Sequence, residues 1–187
     1  MRHILDDKRA QKSAELIWQG MERCLQEKPF DKLRISDINQ KSYVSRATFY
    51  RLFDGLQDVL IYECDQIYSQ LAEALKSKTV HTKQDFFLLL IEKWMAQGVL
   101  IETLVENNLT GILYDTHMKN RDFMKAVFLK DTAISEREVD YMVSLLANII
   151  PAAMNTWYRH GKSESPVEVY HAVGRSLNII GKQLFEK

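Results

Sequence analysis

The chain has 187 residues, long enough for one mid-sized domain or two small ones around a buried core. Hydrophobic residues make up 46% and charged residues 27%, while 7 glycines and 3 prolines are too few for a collagen, a low-complexity linker or a many-turned β-sandwich, so composition leans toward helices. Lysine plus arginine equals aspartate plus glutamate at 25 each, which excludes a global field toward nucleic acid or anionic membrane and leaves such affinity to local charge placement.

From Lys8 to Gln26, apolar residues at Ala10, Ala14, Ile17, Trp18, Met21 and Leu25 recur at three and four, the spacing of one buried helical face. Lys28-Pro29-Phe30 ends that helix. A short second helix over Ile35 to Gln40 places Ile35 and Ile38 on one side, Lys41 to Ser45 interrupts it, and a third helix runs from Arg46 to Phe53. Asp54-Gly55-Leu56-Gln57 reads as an N-cap with a polar N3 residue, opening a fourth, long helix that carries Val59, Leu60, Cys64, Ile67, Leu71, Ala74 and Leu75.

Thr82 is the next N-cap, ahead of Phe86 to Ile91, a run apolar on every side that is expected to lie inside the protein. Gly98 is a candidate interruption and Asn107-Asn108 a candidate end. Between Leu109 and Lys130 two shorter helices are expected, separated around Thr116 to Asn120. Ser135-Glu136-Arg137-Glu138 is a capping box that starts a long amphipathic stretch, in which Pro151 predicts a kink and Gly161 marks the close. Ser165-Pro166-Val167-Glu168 opens a last helix to about Phe185. Strand alternation and internal repeats are not seen, so the expected fold is all-α with about nine helices.

Helices two and three, joined by a few residues and preceded by a packing helix, match the plan of a helix-turn-helix reader, whose recognition helix fits the major groove. The third helix should bury Phe49 and Phe53, four apart, and turn Arg46, Thr48, Tyr50 and Arg51 outward as donors for phosphate oxygens and base edges. Small Ala47 permits close approach and Ser45 caps the helix. Arg34, Ser36 and Lys41 complete the candidate DNA contacts on the preceding helix, and Tyr43 is either a turn residue or a phosphate contact. Residues 34–51 hold four bases and one acid; residues 1–54 hold eleven bases and eight acids, leaving fourteen bases and seventeen acids beyond.

These segments, Phe30-Asp31-Lys32-Leu33, Ile35-Ser36-Asp37-Ile38 and Val44 through Phe53, resemble the tetracycline-repressor-like (TetR) transcriptional regulators over roughly residues 8–68. The resemblance implies a DNA-binding domain over 1–54 and a helical effector-binding and dimerisation domain over 55–187, with 55–76 as the connecting helix. It further implies that Thr48 and Tyr50 hold phosphates while Arg46 and its neighbours lie nearest the bases. The chain departs from the family's pattern at Arg34, where threonine is usual, at Asn39, where alanine is usual, at Tyr43, where a turn glycine is usual, and at Leu56, where a lysine is usual.

In the C-terminal part, Trp157 through Pro166 is similar to a subset of these regulators whose last two helices pair across a two-fold axis. Two long capped helices with aliphatic faces, and Gly174 and Gly181 seven apart, suit a four-helix interface between two subunits. The expected partners are thus a second copy and double-stranded DNA with a near-palindromic operator. The resemblance also implies a repressor released by a small-molecule effector held between the middle helices, where Trp94, Met95, Tyr114, His117, Phe123 and Phe128 fall; simple core is the plainer reading of those six.

Other chemistry finds little support. Glu168-Val169-Tyr170-His171 has the Glu-x-x-His spacing of di-iron bundles but no second copy. His3, His81, His117 and His160 stand apart from cysteine or carboxylate neighbours at ligand spacing, and Cys24 and Cys64 are reduced thiols rather than a disulfide framework or zinc site. With neither a phosphate loop nor a nucleophile elbow, no enzyme, metal or cofactor is expected. The N-terminus lacks a signal-peptide core and no apolar run is long enough to cross a bilayer, so a cytoplasmic protein without membrane partners is expected. The rival readings are a helical protein-interaction regulator without a small-molecule ligand, and a small enzyme using Glu168 and His171.

Overall fold

The computed structural model describes residues 7–76, 80–129 and 132–185. Among these residues there are ten α-helices and no strand: α1 (Lys8–Leu25), α2 (Ile35–Ser42), α3 (Arg46–Leu52), α4 (Leu56–Lys76), α5 (Lys83–Met95), α6 (Gly98–Glu106), α7 (Gly111–Lys119), α8 (Arg121–Phe128), α9 (Glu136–Arg159) and α10 (Pro166–Phe185). The all-α expectation holds, with one helix more than about nine because Gly98 opens a separate helix after the chain turns at Ala96 and Gln97. His3 lies outside the described residues, as does Lys130, the far limit of the expected α7–α8 segment.

The first three helices form a compact trihelical head. Asp7 caps α1 by accepting the Arg9 backbone N–H at 2.8 Å. The α1 face expected from the sequence is buried at Ala10, Ala14, Ile17, Trp18 and Met21; Gly20 and Cys24 join it, and Leu25 is half-buried. Helix α2 is two residues longer than expected. It includes Lys41 and Ser42, because the Arg23 guanidinium of α1 donates to the Lys41 carbonyl at 2.9 Å and so satisfies an end-of-helix acceptor. The break falls instead at Tyr43, whose backbone is left-handed (φ 58°, ψ 19°).

Helix α4 also starts one residue later than the Asp54 cap implies. The closing group is the Asp58 carboxylate, not Gln57: it accepts the N–H groups of Asp54 (2.8 Å) and Gly55 (3.2 Å). Elsewhere the caps match their sequence signatures. Thr82 and Asp85 exchange bonds of 3.0 Å at the start of α5, and Ser135 and Glu138 form a box at α9. At α10 the Glu168 carboxylate accepts from the Ser165 N–H (2.8 Å) and hydroxyl (2.7 Å).

A single hydrophobic core extends from Ala10 in α1 through Val169 in α10, with a smaller cluster at Leu129, Val139 and Val143. The apolar run of α5 is not enclosed on every side: Phe86, Leu90 and Ile91 are buried, whereas Phe87, Leu88 and Leu89 are half-buried. Helix α9 continues through Pro151 and closes at Gly161 (φ 71°) and Lys162 (φ 59°). Ion pairs brace the lower body, Lys119 of α7 to Asp65 of α4 and Lys162 to Glu102 of α6 (2.7 Å), while Tyr158 of α9 donates to Glu106 at 2.6 Å. No helix among the described residues is long and apolar enough to cross a membrane.

Candidate nucleic-acid interface

Phe49 orients α3, the candidate recognition helix. With seven residues, α3 cannot be stable alone, and its position follows from burying Phe49, Leu52 and the adjoining Phe53 against α1 and α4. Phe49 and Phe53 pack at 5.8 Å between ring centroids, and Phe53 meets Tyr62 of α4 edge-on at 5.7 Å. The opposite side is therefore turned to solvent: Arg46, Ala47, Tyr50 and Arg51 are exposed and Thr48 is half-buried.

Local bonds fix the outward groups. The Arg46 guanidinium lies over the Tyr50 ring at 5.5 Å, so a cation and a phenol one helical turn apart form one exposed patch. The Tyr50 ring in turn leans edge-on against buried Phe49 at 5.7 Å, which limits its swing. Ser45 accepts the Thr48 N–H (3.1 Å) as the α3 N-cap, and its hydroxyl donates to Thr48 Oγ1 (3.0 Å). The Ser45 proton is thus engaged within the cap, and the Thr48 hydroxyl proton is the one left to donate outward.

The α2 residues divide. Arg34 and Ser36 are exposed; Lys41 is half-buried and its ammonium is held by Glu27 at 2.5 Å, a contact that raises its pKa. Lys41 therefore lends the site less charge than the sequence count implies. The one acid of the segment, Asp37, is drawn inward: it accepts from Lys28 (2.5 Å) and from the Arg34 N–H (2.8 Å), and these bonds lower its pKa. Arg34, Arg46 and Arg51 make no ion pair among the described residues, and they supply the free cations of this face.

Three contributors escaped the sequence reading. Gly20 allows α1 to touch the end of α2, Arg23 ties down the Lys41 carbonyl, and Asn39 bridges α2 to α3. With its amide oriented to satisfy both groups, Asn39 donates to the Ile35 carbonyl (3.2 Å) and accepts the Arg46 N–H (3.3 Å). Asn39 was legible only as a departure from an alanine; its bridging needs the three-dimensional turn.

The remaining candidates are distributed elsewhere. Trp94 and His117 are fully buried and stacked at 5.6 Å, with Tyr68 edge-on to His117 at 5.4 Å; Tyr68 Oη, Trp94 Nε1 and His117 Nε2 are buried without a hydrogen-bond partner among the described residues. Met95 is buried, Tyr114 is half-buried, and Phe123 and Phe128 pack on Phe86 at 5.7 and 5.5 Å. Contrary to the expectation for His160, a carboxylate one turn on does reach it: Glu164 meets its Nδ1. The Glu168 carboxylate is taken up by the Ser165 cap, and His171 packs edge-on against Tyr170 at 5.3 Å. Cys24 and Cys64 are buried free thiols.

Along α10 only Val169 is buried, and Leu177, Ile179, Ile180 and Leu184 are exposed. Of these, Leu177 joins Leu145 and Ile149 of α9 along an apolar groove of about 360 Å³ that runs over Ala153 and Trp157. A Cβ added at Gly174 or Gly181 would meet nothing within 4 Å among the described residues beyond the helix's own turn.

No family model matches the chain, and no curated protein matches it. Solved structures do share its fold. A Listeria innocua protein, Lin0861, superposes with a TM-score of 0.70 at 17% identity over 93% of both chains. The dihydroxyacetone kinase operon activator DhaS superposes with a TM-score of 0.60 at 18% identity, over 92% of this chain and 96% of its own. The chain thus has an all-helical fold that is also used by an operon activator.

Proposed function

We propose that the protein is a homodimeric, sequence-specific DNA-binding transcriptional regulator of the TetR-like kind. The observation that carries this reading is the two-sidedness of α3: Phe49 and Leu52 face the core, while Arg46, Tyr50 and Arg51 share the solvent side with the Thr48 hydroxyl at its margin. Arg46 and Ala47 at the start of α3 approach base edges, and Thr48, Tyr50, Arg51, Arg34 and Ser36 hold phosphates, with Ser45 as the cap and Lys41 as a weaker contact through its Glu27 pair. Pairing of the α9–α10 faces sets two copies of α3 on successive turns of a duplex, about 34 Å apart, and calls for a near-palindromic operator. Occupancy of that operator represses by blocking polymerase.

An effector would act through α4, which runs from the reader to the core and is braced to α7 by Asp65 and Lys119. A coupling of about 1–3 kcal/mol suffices to change operator affinity about 5–150-fold. One observation favours the second reading, a regulator that answers to a protein partner without a small molecule: Trp94 and His117, two of the residues expected around an effector, stack directly on each other.

The test is selection of duplexes from a random pool, followed by gel shift across a salt series. A dimer with six to ten phosphate contacts should lose about 10³–10⁵-fold in affinity between about 50 and 200 mM salt. Tyr50→Ala should abolish binding, Arg46→Ala should weaken it and relax sequence preference, and Arg51→Ala should flatten the salt slope by about 1 per subunit. Failure of the full chain to enrich any duplex would sink the proposal.

A further inference from the structure

Tyr43 stands in a left-handed conformation, where an L side chain crowds its own carbonyl and glycine or asparagine is the ordinary occupant. The surrounding structure over-determines this backbone. A Cβ on Gly20 would lie 2.8 Å from Ser42 Cβ and 2.9 Å from Ser42 N, so α1 presses directly on the residue before Tyr43. Arg23 holds the Lys41 carbonyl at 2.9 Å, and buried Ser42 accepts the Val44 N–H through its hydroxyl at 3.2 Å. Both neighbours of Tyr43 are therefore pinned, and the turn cannot relax to relieve it.

The side chain gains nothing inside the molecule in return. Tyr43 is 92% exposed and its side chain makes no hydrogen bond, ring contact or cation contact among the described residues, whereas Tyr50 nearby leans on Phe49 and carries Arg46. Its place in the chain, two residues before the Ser45 cap, sets it just outside the N-terminal turn of α3. A recognition helix sends its N-terminal residues into the groove, so the residue just ahead of that turn stands over the groove's wall, which is lined by phosphates.

We propose that Tyr43 is a phosphate anchor presented by a strained turn: its hydroxyl donates to a phosphate oxygen at the edge of the groove entered by α3. This rests on the DNA-binding reading. A phenol carries no charge and displaces no counterion, so its contact adds affinity without adding to the salt slope, unlike that of Arg51.

The experiment uses the full chain and the duplex that it selects, with Tyr43→Gly and Tyr43→Phe compared by thermal melting and by binding at several salt concentrations. Tyr43→Gly relieves the backbone and should raise Tm by about 2–4 °C. Tyr43→Phe keeps the strain and should melt like the wild type. Both should bind at least about tenfold more weakly, with the slope of log affinity against log salt unchanged. Wild-type affinity in Tyr43→Phe overturns the hydroxyl contact, and a flattened slope in either variant overturns its neutral character. If the wild type selects no duplex, the DNA reading itself fails and this inference goes with it.

Discussion

Gly20 of α1 sits against Ser42 at the end of α2 so closely that a methyl group there would lie 2.8 Å from Ser42 Cβ and 3.1 Å from the Ile38 carbonyl oxygen. Two of the three obstructing atoms are backbone, so the intrusion cannot be absorbed by turning a side chain. Gly20→Ala should therefore force α1 and α2 apart and cost about 1–3 kcal/mol, despite alanine's better helix propensity. Because α2 leads directly into the turn before α3, the same variant should weaken the proposed DNA binding. Chemical denaturation checks the first effect and gel shift the second; a Gly20→Ala variant as stable as the wild type would show that the contact is slack.

The exposed side of α10 makes a separate prediction. Ile180 and Leu184 are 50% and 69% exposed in the single chain, so replacing them removes little packing within it. Ile180→Glu together with Leu184→Glu should leave the helical fold and the chain's own melting intact, yet convert the proposed dimer to a monomer in sedimentation experiments. A monomer offers one α3 per duplex, so operator affinity should fall by orders of magnitude and the salt slope should roughly halve. A double variant that still sediments as a dimer would move the interface elsewhere.

His117 is a built-in acid liability. Its ring lies between Trp94 and Tyr68, and its Nδ1 donates to the Leu113 carbonyl at 2.5 Å, which leaves Nε2 bare and the ring neutral. Burial pushes its pKa down to about 4, outweighing the Leu113 bond that acts in the opposite direction. In the unfolded chain the ring takes a proton near pH 6.5, so the stability contributed by a neutral His117 is complete above that point. It is lost as pH falls from about 6.5 to about 4, at up to about 1.4 kcal/mol per pH unit. His117→Phe should remove this component, and parallel denaturation of the two proteins at pH 4.5 and 7.5 measures it.

How far the sequence carries depends on the range of the interaction. The caps at Thr82, Ser135 and Ser165 were legible because each is closed by a carboxylate three residues on. The outward set on α3 was legible because Phe49 and Phe53 share a face with a spacing of four. Asp58 was missed one residue from the expected Gln57, since which of the two reaches back depends on where the first turn starts. Gly20, Arg23 and the Glu27–Lys41 pair act between α1 and the end of α2, fourteen or more residues apart in sequence, and no periodicity reports such contacts. Phe87 to Leu89 misled for a related reason: hydrophobicity states that a side chain favours burial, not how fully the neighbouring helices cover it.

Glu63 gives the last prediction, with a pH dependence opposite to that of His117. It lies on α4 in a groove of about 960 Å³ against α1, where Glu15 and Glu22 face it and Trp18 and Tyr62 form part of the wall. Lys12, on the same groove, is committed to Glu15 at 2.9 Å, and Glu63 and Glu22 make no ion pair among the described residues. Burial first, and then the neighbouring Glu22 and Glu15 carboxylates, raise the Glu63 pKa to about 7. The folded chain therefore holds this proton between about pH 4.5 and about 7 while the unfolded chain has released it, and stability falls as pH rises through that window. Above it the loss is complete and constant. Glu63→Gln cannot ionise, so it should match the wild type near pH 4.5 and exceed it at pH 8, by on the order of 1 kcal/mol once solvent in the groove is allowed for. Between about pH 4.5 and 6.5 this slope opposes that of His117, so a nearly flat wild-type profile there should resolve into a rising and a falling limb when Glu63→Gln and His117→Phe are measured separately; two variants that both track the wild type at every pH would rule out this compensation.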